Sequence, residues 1–441
     1  MKRLLSLLLC AVLALFCATT AQAAGVSITL TASEYALHYA FDAGAQDPFV
    51  ILEYTTPAEK GWMMLYSADG RFEGDIALAY SGAGGKTSVA LTSARTTGSV
   101  GKASTTLPKA VDYQKPTGKS NAKVMDFVLT ETPEGFHYAF NAAGTDYMLL
   151  YWRSKEQTVT QPVYPDENGH YEGDVISELT FARTQFTVQV KSGSGSMKKE
   201  ATVRKGYQAP EAPQRQEGRL SGVTVCIDAG HQENGRFVNE PIGPGLTGST
   251  SGKGGMAQGT KTNRRESIVC LEIGMLLRDE LLRQGANVIM TREDQMTFHT
   301  NIERCEIAEA GGAQIMLRLH CNNSSNHSKR GIQVYGPLNS DYAKAVADAD
   351  TYREMGQKLL DAMKTRVGMT LANSTGMVRL NDNYVGNNWA KMMCFLVEMG
   401  YLSNPAEEYL LVTPVYQQWL AEGMADGVYE IAVARGWVQA Q

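Results

Sequence analysis

Val223-Thr224-Val225-Cys226-Ile227-Asp228-Ala229-Gly230-His231 is an apolar, largely β-branched run that ends in a carboxylate and an imidazole. Working outward, residues 287–291, 315–319, 332–335 and 394–397 are similar short runs, and each predicts a strand. Residues 266–284, 301–310 and 352–366 have helical patterning, and the second of these stops at Gly311-Gly312. The stripe Val269, Ile273, Leu276, Leu277 and Leu281 reads as the core face of the first helix. Strands alternating with helices predict an α/β domain over 222–438, a mostly parallel sheet flanked by helices. In such sheets functional residues gather beyond the carboxyl ends of the strands.

Ahead of this domain, residues 208–221, with Ala209-Pro210-Glu211-Ala212-Pro213, read as a linker. Before the linker lies a repeat. His38-Tyr39-Ala40-Phe41 recurs as His137-Tyr138-Ala139-Phe140, and Gly70-Arg71-Phe72-Glu73-Gly74-Asp75 recurs as Gly169-His170-Tyr171-Glu172-Gly173-Asp174. One offset aligns both motifs, which marks a duplicated unit. Both copies are rich in Thr, Val, Tyr and Phe and are punctuated by Gly, Asp and Asn. They predict two β-sandwich repeats, Ig-like in the broad sense, over 24–107 and 122–207. His38 and His137 read as ordinary strand positions rather than metal ligands.

The amino terminus predicts export. Lys2 and Arg3 precede an apolar stretch over 4–16, and Ala21-Gln22-Ala23 supplies a small-x-small cleavage pattern, so residues 1–23 read as a signal peptide. The expected location is extracellular or in the cell wall, or the periplasm in a source with an outer membrane. No later stretch approaches the roughly 20 apolar residues of a membrane span. The formal net charge of −5, without a clustered basic face, excludes nucleic acid as a partner. Cys226, Cys270, Cys305, Cys321 and Cys394 show no C-x-x-C spacing and read as reduced core cysteines rather than a zinc cluster.

Three predicted strand ends carry metal-competent residues. Residues 223–227 run into Asp228-Ala229-Gly230-His231, 315–319 into His320-Cys321-Asn322, and 394–397 into Glu398-Met399-Gly400. The helix beginning near Glu266 could bring a fourth such group to the same edge. Two imidazoles and a carboxylate suit a catalytic zinc ion that keeps one position open. A further carboxylate nearby can move the proton of the attacking water.

From Val225 to about Trp437 the chain resembles the zinc-dependent N-acetylmuramoyl-L-alanine amidases, cell-wall hydrolases of amidase type 3. That family opens on a strand running into D-x-G-H, matched by Asp228-Ala229-Gly230-His231. A glutamate then starts a helix that is ended by a glycine and a V-x-x-T-R strand, matched by Glu266, Gly285 and Val288-Ile289-Met290-Thr291-Arg292. An arginine in a short helix and a strand into H-x-N follow, matched by Arg304 and His320-Cys321-Asn322. The last motif, E-x-G-[FY]-x-[ST]-N, is matched by Glu398-Met399-Gly400-Tyr401-Leu402-Ser403-Asn404. The resemblance implies one Zn2+ per catalytic domain held by His231, Glu266 and His320, with Glu398 as catalytic acid/base and Arg304 and Asn322 in support. It implies hydrolysis of the amide between N-acetylmuramic acid and L-alanine in peptidoglycan. The glycine-rich stretch 232–263 departs from the shorter pattern and places the chain in a longer-loop branch.

Two readings stay open at Glu266, because Asn263-x-x-Glu266 also fits a helix capping box; Glu272 is the alternative ligand. Arg304 reads as the partner of a carboxylate that holds the site. Gly243-Pro244-Gly245-Leu246-Thr247-Gly248 satisfies G-x-G-x-x-G but neither follows a strand nor opens a helix, and there is no H-E-x-x-H. Two alternatives to the amidase are a zinc peptidase cutting stem peptides and a non-catalytic wall-binding protein. The repeats name no ligand, and wall polymer and a protein partner are both open for them.

Overall fold

Alternating apolar and polar residues over the first half of the chain become antiparallel strands, each with one face turned inward. The computed structural model describes residues 18–440 except 23–25, 35, 45–46, 79–80, 95–97, 111–122, 133–134, 144, 146–147, 154–157, 177–183, 193–195, 206–210, 233–237, 251–254, 261, 263 and 368–376. The chain divides into two compact units, Met1–Gly206 and Tyr207–Gln441.

In the first unit a four-stranded sheet runs in the order Ala18–Gln22, Ser27–Ala32, Ala36–Asp42, Arg71–Ala77. A three-stranded sheet, His170–Ile176, Gly135–Ala143, Lys123–Thr132, is its counterpart in the second repeat. Each faces half of one eight-stranded sheet. Ile28, Leu30, Leu52 and Leu91 share one core, and Phe136, Leu150, Trp152 and Val188 share another. Fully burying a side chain of this size stabilises by about 1.5–3 kcal/mol. The two repeats are not closed off from each other, however. Thr158–Val163 pairs with Glu59–Tyr66 through Thr158↔Lys60 and Val159↔Glu59, so one sheet crosses both copies. Edge strands present unpaired N–H and C=O groups, and each repeat satisfies some of the other's.

The register explains the repeated motifs. His38 lies opposite Asp75 and His137 opposite Asp174, with Nδ1–Oδ1 distances of 2.9 Å in both copies. One residue on, the next side chain turns inward. There Tyr39 covers Gly74 and Tyr138 covers Gly173, so closely that a Cβ on either glycine would lie 2.7 Å from the phenol oxygen. Phe41 stacks on Phe72 and Phe140 on Tyr171, at 4.8 and 4.6 Å between ring centroids. The motif residues are therefore a sheet-building set.

Most of the expected signal segment lies outside the described residues. Its end, Ala18–Gln22, pairs antiparallel with Ser27–Ala32, so cleavage after Ala23 would remove that strand. Among the described residues, no helix is long and apolar enough to cross a membrane.

The second unit holds the expected α/β sheet. Its order is Asn287–Met290, Thr224–Ala229, Ile315–Asn322, Met393–Tyr401, Gln333–Gly336, Met377–Leu380. The first four strands are parallel, and the last two run the other way. Strand alternation serves two helical layers. Gly274 of helix Glu266–Arg283 lies over Ile227 and Ala229 on one face. On the other face Cys226 packs with Cys305 and Ala308 of helix Asn301–Ala310. Helix Pro414–Ala434, absent from the sequence reading, brings Gly423 and Gly427 against the backbone of Met363 and Leu359 in helix Ala349–Val367. The five cysteines are buried and free.

The stretch 208–221, expected to be a linker, is not all free chain. Gln216 and Leu220 donate backbone hydrogen bonds to Leu282 and Gln284. The long 232–263 loop is likewise anchored where it is described. Glu240 accepts from the backbone N–H groups of Asn301 and Ile302 at the start of a helix, where negative charge is favoured. Asn388 and Trp389 donate to the carbonyls of Ile242 and Pro241.

Candidate active site

The parallel arrangement brings three strand ends to one edge of the sheet. Thr224–Ala229 ends beside His231, and His320 lies directly opposite Glu398 in the pairing of the next two strands. Glu266 comes from the first turn of the helix that crosses behind them. Its position is set by a small hairpin, in which Gln258 bridges Arg265 and the Glu266 N–H donates to Ala257 O at 2.9 Å.

One donor atom each from His231, Glu266 and His320 lies within 4.8 Å of the others. His231 Nε2 is 3.1 Å from Glu266 Oε2, and His320 Nδ1 is 3.0 Å from Glu266 Oε1. The Glu266 carboxylate also accepts the N–H groups of Ala257 and Cys321 at 2.8 and 3.0 Å. It is not capping its own helix: the N-cap is Arg265, without a side-chain cap bond, and Asn263 lies outside the described residues. Burial would raise its pKa, but the bonds from His231 and His320 outweigh that and hold it well below the usual carboxylate range. Burial lowers the His320 pKa, with the bond to Glu266 opposing, and so favours the neutral ring. His320 Nε2 is buried and finds no hydrogen-bond partner among the described residues. Glu272, the alternative ligand, is paired with Arg264 and Gln417 instead, each at 2.9 Å.

Glu398 Oε2 is the second buried polar atom of this edge without a partner among the described residues. Burial, and then the negative charge of Glu266, push its pKa up to about 8. A carboxyl in that range can hold or release a proton near neutrality, as a general acid/base must.

Beneath these groups lies a buried charge cluster. Asp228 is fully buried; it takes hydrogen bonds from Arg304, from Arg318 at 2.9 Å and from Thr291 at 2.8 Å. Burial would raise its pKa, but the two guanidinium groups hold it far below the usual range. Arg304 has the carboxylate partner expected of it, and it also donates to the carbonyls of Ala229 and His231 and to the Gln232 side chain. Arg292 donates to the carbonyls of Ala229, Gly230 and Ser267. The two arginines grip the backbone that carries His231, which sits at φ 57°, an uncommon conformation for a non-glycine residue. Gly230 admits no side chain, because a Cβ there would lie 2.6 Å from the His320 ring.

Asn322 is not brought to the three ligands; its amide donates to Gln333 at 3.3 Å. Sequence reasoning gave no role to Arg292 and passed over Arg318. The signal for Arg318 was present, since a lone cation inside the apolar run 315–319 needs a buried partner.

Residues 225–430 match the family described as N-acetylmuramoyl-L-alanine amidase. The germination-specific N-acetylmuramoyl-L-alanine amidase of Bacillus subtilis is 26% identical over 231 residues, covering 49% of this chain and 83% of that protein. The probable cell wall amidase LytH of Staphylococcus aureus is 26% identical over 218 residues, covering 48% of this chain and 60% of its own. Among solved structures, the amidase Ami1 of Mycobacterium abscessus aligns over 48% of this chain and 99% of its own, at 18% identity and a TM-score of 0.43. Residues 225–430 thus carry a domain that matches the N-acetylmuramoyl-L-alanine amidases, and the chain is an enzyme.

Proposed function

We propose that this chain is an exported, zinc-dependent amidase that hydrolyses the bond between N-acetylmuramic acid and L-alanine in peptidoglycan. The observation that carries the reading is the buried edge itself. Three candidate ligand atoms converge within 4.8 Å, and Glu398, whose Oε2 has no hydrogen-bond partner among the described residues, lies opposite His320 on the neighbouring strand.

The residues fit a zinc ion. A neutral imidazole, a second imidazole and an ionised carboxylate are the donor types of catalytic zinc sites. His320 Nε2, without a hydrogen-bond partner among the described residues, is a buried polar atom that a bound cation would account for. Zinc would be held by His231, Glu266 and His320, where it supplies Lewis acidity to the scissile carbonyl and lowers the pKa of water. Glu398 takes the proton of the attacking water and delivers it to the departing L-alanine amine. The Asp228–Arg304–Arg318 cluster and Arg292 act at one remove, keeping the His231 backbone in place.

The wider reading assigns residues 1–23 to a signal peptide and 24–107 and 122–207 to Ig-like sandwich repeats. Residues 208–221 join them to a catalytic domain over 222–438. Peptidoglycan outside the cytoplasm is the substrate, and the repeats contact wall polymer or a protein partner. Digestion of purified sacculi by zinc-loaded protein tests the activity. Free stem peptides beginning at L-alanine are expected, whereas cuts inside the stem would replace the amidase by a peptidase.

A further inference from the structure

Next to Glu398, on the side of the reversed edge strands, the second unit has a hollow of about 530 Å³. That volume lies within the range of about 300–1,000 Å³ common for ligand sites. Its charged lining consists of Lys329, Arg330 and Arg379, and no Asp or Glu is among the described residues that line it. The floor is neutral and internally bonded: Gln333 accepts from Asn322 and Tyr335 and donates to Tyr401 at 3.2 Å. The strand pairing ties the hollow to the reaction: Gln333 of its floor lies directly opposite Glu398. Glu407, near enough to feel the charge of Arg330, is buried outside the lining and has its carboxylate bonded to the N–H groups of Gly331 and Tyr401.

An amide substrate places one half on each side of the reacting carbon. In peptidoglycan the peptide half concentrates the negative charge, since its acidic residue and its carboxyl terminus are both carboxylates. Three cations over a neutral floor complement such a group, and guanidinium binds carboxylate through paired hydrogen bonds. Resting on the amidase reading above, we propose that this hollow is the subsite for the leaving peptide, with Lys329, Arg330 and Arg379 binding its free carboxylates. The enzyme then favours stems whose acidic residue is a free acid over stems in which it is a carboxamide.

The test compares two soluble muropeptides that differ only in that carboxylate or carboxamide, using the full-length zinc-loaded protein. A KM about tenfold lower for the free acid, with kcat little changed, is expected for binding through charge. Arg379→Ala should raise KM for the acid about fivefold and for the carboxamide by clearly less, and Arg379→Lys should recover part of the loss. Equal KM values for the two substrates, or equal losses in Arg379→Ala, would overturn the subsite. If neither muropeptide is cut, the amidase reading fails by itself. Calorimetry of the free acidic and amidated stem peptides on the wild-type chain then decides the hollow: preference for the acid supports it, and equal affinity overturns it.

Discussion

The chain groups imidazole with carboxylate in two regions, to different ends. In the first unit His38 sits between Asp75 and Glu73, and His137 between Asp174 and Glu172, at 2.9–3.5 Å. In the second, Glu266 sits between His231 and His320 at 3.0 and 3.1 Å. Donor types and spacing are nearly the same. The difference is in solvent access and in what is left over. The first-unit carboxylates are 59–75% exposed, so water competes for every contact. Glu266 is 3% exposed, and beside it His320 Nε2 and Glu398 Oε2 are shielded and unpartnered among the described residues. Ligand chemistry alone does not make a site; a site also needs burial and donors whose needs the fold leaves unmet.

Breaking each region in turn sharpens the contrast. The largest effect is expected from His320→Ala, which should remove stoichiometric zinc, and turnover with it, as read by metal analysis of the purified protein. The same substitution at His38 or His137 should leave zinc unchanged. Glu398→Ala should keep its zinc and lose about 10²–10⁴-fold in kcat, the usual worth of a positioned acid/base. Comparable turnover would take Glu398 out of the reaction. Arg304→Met deprives a fully buried carboxylate of one partner, a kind of change that costs about 3–5 kcal/mol in denaturant unfolding.

Asp228 also sets an acid limit. Its folded pKa is depressed, so its contribution is present above the ordinary carboxylate value and is lost as pH falls below it. Asp228→Asn should therefore lower stability at pH 7 and flatten its dependence between pH 5 and pH 2. An unchanged slope would mean that other carboxylates control the acid limb. Smallest of all, His38→Gln should cost under about 1 kcal/mol, as half-exposed ion pairs do, and a larger loss would make the repeat motif a principal support of its sheet.

How much was legible depended on the range of the cause. Strand and helix periodicity is local, so the run 223–227 and the 266–284 and 301–310 helices were found nearly to the residue. Helix Pro414–Ala434 was missed although Pro414 at its start and Leu420, Met424, Val428 and Ile431 along it carry the signal. Glu266 could not be decided from Asn263-x-x-Glu266, because a capping glutamate and a ligand occupy the same first-turn position. The sheet that joins the two repeats was invisible for a different reason. Its two-residue junction is made by backbone groups, which leave no side-chain pattern.

The order of polar strand ends along the chain is written in the sequence, because each strand declares itself through its own apolar run. That much puts His231, His320 and Glu398 at one edge of a parallel sheet from the sequence by itself. Only the tertiary structure decided which of their atoms are dry and unpaired, and which backbone the buried arginines hold. Desolvation and hydrogen-bond satisfaction are properties of the assembled surroundings: Glu266, Ala257 and Cys321 meet only when a hairpin, a helix and a strand from separate parts of the chain have packed.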